Sequence, residues 1–149
     1  MTQKAAETGW VCEKCGRRFA RVGQQHVCEI WSPQDHLDGK PESSIRLYQR
    51  YVELVQACGP FEYVVTKTGI GFRGPRRAFA GATPTKKGLQ GYMDMTHAVK
   101  DDLRFTRVSP YTKRLFVHHF LITAEAQLDD QFAGWICEAY AVGQGDHLG

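Results

Sequence analysis

Between Trp10 and Glu29 the chain reads W-V-C-E-K-C-G-R-R-F-A-R-V-G-Q-Q-H-V-C-E, with Val11, Phe19, Val22 and Val27 as its evident apolar residues. A segment of about twenty residues with so little apolar surface cannot fold without a staple. Cys12, Cys15, His26 and Cys28 supply one, in the pattern C-x2-C-x10-H-x-C. Zinc takes four such donors tetrahedrally, and a Cys-x2-Cys knuckle presents two thiolates from one turn. Gly16 suits the sharp fold-back after Cys15. His26 and Cys28, two apart, share a face in an extended segment. The expectation is a structural Zn2+ site, closed to catalysis, that contributes on the order of 10–16 kcal/mol to folding residues 10–30.

A disulfide is the competing staple, but nothing marks the chain as secreted. Residues 1–9 are polar and lack the apolar centre of a signal peptide. Five cysteines with a tight CxxC suit a reducing compartment, where such spacing favours metal. No run approaches the ~18 apolar residues of a membrane span. A cytoplasmic protein with no membrane contact is expected.

Residues 31–42 read as a linker, broken by Pro33, Asp38-Gly39 and Pro41, with Trp31 too apolar to stay unpacked. His36 and Asp38 are expected to be exposed linker residues. A helix follows from Ser43 to Cys58. Ser43 or Ser44 is a suitable cap, and Ile45, Tyr48, Val52 and Val55 keep a helical apolar stripe. Gly59-Pro60 ends it. Cys58, with no partner at ligand spacing, reads as a small buried residue.

From Phe61 the rhythm becomes that of strands. F-E-Y-V-V-T, I-G-F-R, R-A-F-A-G-A and L-Q-G-Y-M-D-M are separated by hairpin-length breaks at Thr68-Gly69, Gly74-Pro75 and Pro84. Lys113 to Ile122 is a further strand, whereas Thr96 to Arg107 fits either a loop or a short strand. Asp129 to Val142 reads as a closing helix, with aspartates at its positive end. Its buried face is Phe132, Ile136, Ala139 and Tyr140, and Gly143 is its stop. The expected architecture is α+β: a small zinc-knuckle-like module (10–30), a linker (31–42), and an antiparallel sheet flanked by an N-terminal and a C-terminal helix (43–143).

At these residues the chain resembles a bacterial family known as domain of unknown function 5655. The matching features are Y-x-x-x-V at Tyr48–Val52, Gly59-Pro60, T-K-T-G-I-G-F at Thr66–Phe72, and R-x-F-A at Arg77–Ala80. L-D-D-x-x-x-x-W-I-x-x-A-Y at Leu128–Tyr140 completes the set. The W-x-C-x-x-C-G-R-x-F and H-x-C elements resemble the zinc segment that can precede this domain. The resemblance implies an α+β sheet domain and carries no catalytic residues.

Charge is unevenly placed. The net formal charge is +3, yet residues 63–122 hold eleven Lys and Arg against three Asp, while residues 123–149 hold five acids and no Lys or Arg. In the first segment Lys14, Arg17, Arg18 and Arg21 outnumber Glu13 and Glu29. Basic residues interleaved with Tyr63, Phe72, Phe79, Tyr92 and Tyr111 suit a phosphate-bearing ligand, gripped by guanidinium forks and stacked on aromatic faces. The same pattern also describes an ordinary strand set with aromatics inside and charges in solvent. The candidate ligand-binding residues are Arg73, Arg76, Arg77, Lys86, Lys87, Arg114 and His119.

Catalysis is the weaker reading. His118 and His119 are adjacent on a strand, so they face opposite sides, one buried and one exposed. Pairing His119 with Asp129 or Asp130 requires tertiary proximity. Gly69 to Gly74 lacks the helix and Lys-Ser/Thr of a phosphate loop, and hairpin glycines explain it better. Three functions stay open: a non-enzymatic zinc protein contacting nucleic acid or another polyanion through its basic sheet region, a protein adaptor docking through the zinc module, and a sensor or enzyme for a phosphorylated small molecule.

Overall fold

The computed structural model describes residues 31–148, together with Glu13 and a short strand pair upstream. The chain divides into two compact units, 1–31 and 32–149. In the first, β1 (Trp10–Val11) pairs antiparallel with β2 (Arg18–Phe19), Trp10 opposite Phe19 and Val11 opposite Arg18. The four expected zinc ligands, Cys12, Cys15, His26 and Cys28, lie outside the described residues.

The second unit starts within the segment read as a linker. Helix α1 (Pro33–Leu37) places Pro33 at its first turn, where a missing N–H is harmless. The Asp35 carboxylate accepts from the Ser32 amide at 2.8 Å. His36 is buried rather than exposed, its Nε2 2.7 Å from the Thr66 carbonyl oxygen.

Helix α2 (Glu42–Cys58) begins one residue before the expected start, with Pro41 as its cap. The Pro41 carbonyl accepts from the amides of Ser44 and Ile45. The two serines therefore fall inside the helix, and Ser44 is buried, donating through Oγ to the Thr85 carbonyl at 2.6 Å. The inward stripe is Leu47, Tyr48, Tyr51, Val52 and Val55, with Ile45 only half-buried.

Six antiparallel strands follow: β3 (Glu62–Val65), β4 (Ile70–Arg73), β5 (Ala78–Thr85), β6 (Gly88–Met95), β7 (Phe105–Pro110) and β8 (Phe116–Ile122). Their order across the sheet is β3-β4-β5-β6-β8-β7. Thr96–Arg107 thus divides into a connection and the start of an edge strand, and the chain reaches that edge before turning back to pair β8 with β6. Between β4 and β5 one register shift separates Phe72 from Arg73, and a second lies between Phe105 and Arg107 on β7.

Helix α3 (Asp130–Gln144) closes the fold. The Asp129 carboxylate caps it by accepting from the Phe132 amide at 2.9 Å, as the paired aspartates predict. The helix runs past Gly143 and ends at Gly145, whose φ of 85° is the left-handed cap. Gly143 serves packing instead, since a Cβ there would sit 2.5 Å from Cδ1 of Phe79.

Both long helices cover one face of the sheet. Ile70, Phe72, Ala80, Ala82, Leu89, Met93, Met95, Phe120 and Ile122 meet Leu47, Tyr51, Val55, Phe132, Ile136 and Ala139 in one core. Tyr51 is central, with ring centroids 5.5 Å from Phe120 and 5.8 Å from Phe72. At the rim a disulfide joins Cys58, the last residue of α2, to Cys137 in α3, with Cα atoms 5.5 Å apart. Cys58 therefore has a partner, 79 residues away, too distant for a spacing argument to find. With two of the five cysteines so paired, cysteine usage no longer argues for a reducing compartment. Among the described residues, no helix is long and apolar enough to cross a membrane.

Candidate ligand-binding face of the sheet

Strand alternation divides the two histidines as their adjacency predicts. His118 is fully buried on the helix side and His119 is exposed on the other. The Val99 amide donates to Nε2 of His118 at 3.0 Å, so its proton is on Nδ1, which donates to the Phe116 carbonyl at 3.0 Å. Both ring nitrogens are satisfied in the neutral form, and burial holds the pKa below the usual histidine value. His118 pins the connection between β6 and β7; it is a structural residue.

On the uncovered face the registers align one residue from each strand. Val64, Gly71, Gly81, Tyr92, His119 and Arg107 lie opposite one another in a row across β3, β4, β5, β6, β8 and β7. The glycine in β5 is required by its neighbour: a Cβ on Gly81 would stand 2.5 Å from Cε1 of Tyr92. The tyrosine leans over Gly81 toward Gly71, where the same hypothetical atom would be 3.7 Å from its hydroxyl. Two hollows meet beside it. One, of about 300 Å³, is lined by residues including Val64, Thr68, Gly71, Gly81 and Thr83. The second, of about 470 Å³, is lined by residues including Thr85, Gln90, Thr106, Arg107 and His119. Thr68, Thr83, Gly91 and Tyr92 border both.

The six candidate cations do not gather at one place on the sheet. Arg73, Arg76 and Arg77 lie around the β4–β5 turn, and Arg114 lies at the β7–β8 turn of the same sheet end. Lys86 and Lys87 occupy the β5–β6 turn at the other end. The seven residue steps of β5 separate these ends by about 23 Å at ~3.3 Å per residue. Several of the cations are also engaged. Arg77 bonds Asp94 at 2.6 Å and stands over the Tyr111 ring at 5.4 Å. Arg73 donates through Nε to the Gly74 carbonyl and lines a separate hollow with Glu62, Tyr140 and Gln144. Arg114 donates to the His147 carbonyl at 3.1 Å. Arg76 is exposed, its backbone amide donating to the Gly143 carbonyl.

Of the seven expected ligand residues, only His119 borders either hollow, the second one. Arg107, which borders one of them, was missed because it sits at the end of the stretch that fitted loop or strand equally well. The signal was present in F-T-R-V-S-P, whose alternation sends Arg107 and Ser109 to one side and Val108 to the other.

Asp94 and Asp129 behave differently. Burial pushes the Asp94 carboxyl up to about 6 even though Arg77 pulls the other way. Burial also raises the Tyr92 phenol, with the Asp94 charge adding to the effect. Asp129 is not available to His119. It caps α3 and bonds Arg104 at 2.9 Å. Arg104 also bonds Asp102 and the Gln127 carbonyl, and lies 5.3 Å from the rings of Phe132 and Trp135. Part of the positive charge counted over residues 63–122 therefore works as internal bracing. Among the described residues, no group of three His, Cys, Asp or Glu is placed to hold a metal ion.

A family model described as a domain of unknown function (DUF5655) matches residues 34–143. No curated protein and no solved structure matches the chain.

Proposed function

The chain belongs to the DUF5655 family, and since that description assigns no chemistry, we propose from the open sheet face that it is a non-enzymatic binding domain for single-stranded nucleic acid. One observation carries this reading: Tyr92, His119 and Arg107 stand in the middle of the open face, and exposed cations lie at both ends of the sheet, Lys86 and Lys87 at one and Arg76, beside the end of α3, at the other. A compact phosphate cannot touch ends about 23 Å apart, whereas a strand of several linked phosphates can. Single-stranded binders combine such a basic track with an aromatic on which bases stack.

The first unit enters the proposal as a zinc-held module. Its support is the donor set itself, three thiolates and an imidazole at Cys12, Cys15, Cys28 and His26 in a segment with almost no core of its own. The ion's role there is to hold the fold, and a closed set of four ligands leaves no position for substrate. Protein purified without added zinc is expected to carry one equivalent, and chelation to unfold residues 10–30. Metal-free protein with an unchanged, ordered first unit would overturn this part.

Affinity for an oligonucleotide measured against salt tests the main claim. Electrostatic binding to a single strand gives a log–log slope of about −0.7 for each phosphate neutralised. Replacing Lys86 and Lys87 together should flatten that slope, as should replacing Arg76. An absence of binding at low salt sinks the proposal.

A further inference from the structure

The row of residues on the open face has a polarity that an extended polyanion does not require. Its β4–β5 side carries no charged side chain among the described residues: Gly71 and Gly81 form a floor bordered by Val64, Tyr92, Thr68 and Thr83. Its β7–β8 side carries Arg107 and His119. Resting on the nucleic-acid reading above, we propose that this groove seats a single nucleotide, with the base in the glycine-floored hollow beside Tyr92 and the phosphate on Arg107 and His119.

Dimensions and chemistry agree with this occupant. Two strand spacings separate Gly81 on β5 from His119 on β8, about 10 Å at ~4.8 Å each, which is the scale of a base and its phosphate. The hollow of about 300 Å³ is open along one side, as a base still attached to a strand requires. Among the described residues, no carboxylate borders either hollow, in contrast to the Arg73 hollow, where Glu62 is present. Hydroxyls are available for a base edge at Thr68 and Thr83. The Thr83 oxygen already accepts from the Ile70 amide at 3.0 Å, which leaves its proton to donate. A hydroxyl both donates and accepts, so these contacts tolerate more than one base. Gly81 is the residue that makes room: with any side chain there, Tyr92 would have to leave its position, and the hollow would change shape.

The experiment follows amide shifts of the full chain on titration with adenosine 5′-monophosphate, inorganic phosphate and an oligodeoxyadenylate. The expected result is that the monophosphate shifts the amides of Gly71, Gly81 and Tyr92 together with those of Arg107 and His119. Phosphate alone should move only the Arg107–His119 side. The variant Arg107→Ala/His119→Ala changes two exposed side chains, and its fold is checked by an otherwise unchanged spectrum. It should lose monophosphate affinity about tenfold or more, because charge-assisted hydrogen bonds disappear. Identical shifts from phosphate and monophosphate would reduce the site to an anion site and overturn the base seat. The oligonucleotide separates the two claims. If it binds wild type and double variant equally, and the monophosphate leaves the hollow unshifted, the nucleotide seat falls while the nucleic-acid reading stands. If the monophosphate binds and the oligonucleotide binds no tighter, the seat stands and the reading of an extended strand falls.

Discussion

The two faces of one sheet treat their polar groups in opposite ways. On the covered face His118 has both ring nitrogens bonded to backbone groups. Nearby, Arg104 is held by two carboxylates, a carbonyl and two aromatic rings. Each group is fixed and serves the fold. On the open face His119 and Arg107 extend toward solvent, and Arg107 makes only a local bond to Ser109 at 3.1 Å. Strand alternation creates this contrast from neighbouring positions of similar chemistry, so residue type alone does not distinguish a brace from a contact.

If the covered face carries the stability, its disruption should dominate every other change. Phe132, fully buried between Tyr51, Phe120 and Phe105, is the sharpest place to break it. Phe132→Ala should cost about 3–5 kcal/mol in denaturant unfolding, and a loss under ~1 kcal/mol would mean that the helices contribute less than the packing implies. Opening the link at the rim comes next. Cys58→Ser/Cys137→Ser should destabilise by about 2–4 kcal/mol, seen as a lower midpoint that wild type reproduces under reducing conditions.

The acid response should separate the carboxylates by sign. Asp94 has a folded pKa of about 6, above its unfolded value, so the folded state holds the extra proton between about pH 4 and 6. Its contribution to stability therefore falls as pH rises through that window. Asp102 is held below the ordinary value by its hydrogen bond from Arg104, and Asp129 by the Phe132 amide and then by Arg104. Their contribution is complete above about pH 4 and is lost on further acidification. Asp94→Asn should flatten the stability profile between pH 4 and 6 and leave the loss below pH 4 in place. An unchanged slope in the upper window would show that Asp94 is not the group responsible.

The smallest effects complete the comparison. The Tyr51 hydroxyl is buried without a hydrogen-bond partner. Tyr51→Phe should thus be neutral or slightly stabilising, since an unsatisfied polar group is removed with no change of shape. On the open face His119→Ala should alter stability by no more than about 0.5 kcal/mol. A larger loss at His119 would mean that the open face also braces the fold.

Much of this architecture was legible in the residues. Tyr48, Val52 and Val55 on α2, Phe132, Ile136 and Ala139 on α3, the hairpin β-structure from Phe61 onward, the aspartates at the start of α3 and the division of His118 from His119 all follow from periodicity and local chemistry. What escaped was non-local. Nothing in F-T-R-V-S-P states that this strand takes the edge outside β8, and Arg107 becomes part of the row only through that order. The scatter of Arg73, Arg77 and Lys86 is a matter of strand length, invisible to a count of charge along the chain. Cys58 found its partner because α2 and α3 lie side by side, a consequence of packing on a shared sheet. Gly143 read as a stop because glycine often ends helices, whereas its role here is to admit Phe79.

The Cys58–Cys137 bond has a topological consequence as well. All six strands of the main sheet, residues 62–122, lie inside the covalent ring that it closes. A protease that cuts once within the ring, for instance beside the fully exposed Leu103, leaves two pieces of chain that still travel as one molecule. They part only when a reductant is added, so a gel run with and without thiol reads directly whether the ring is closed.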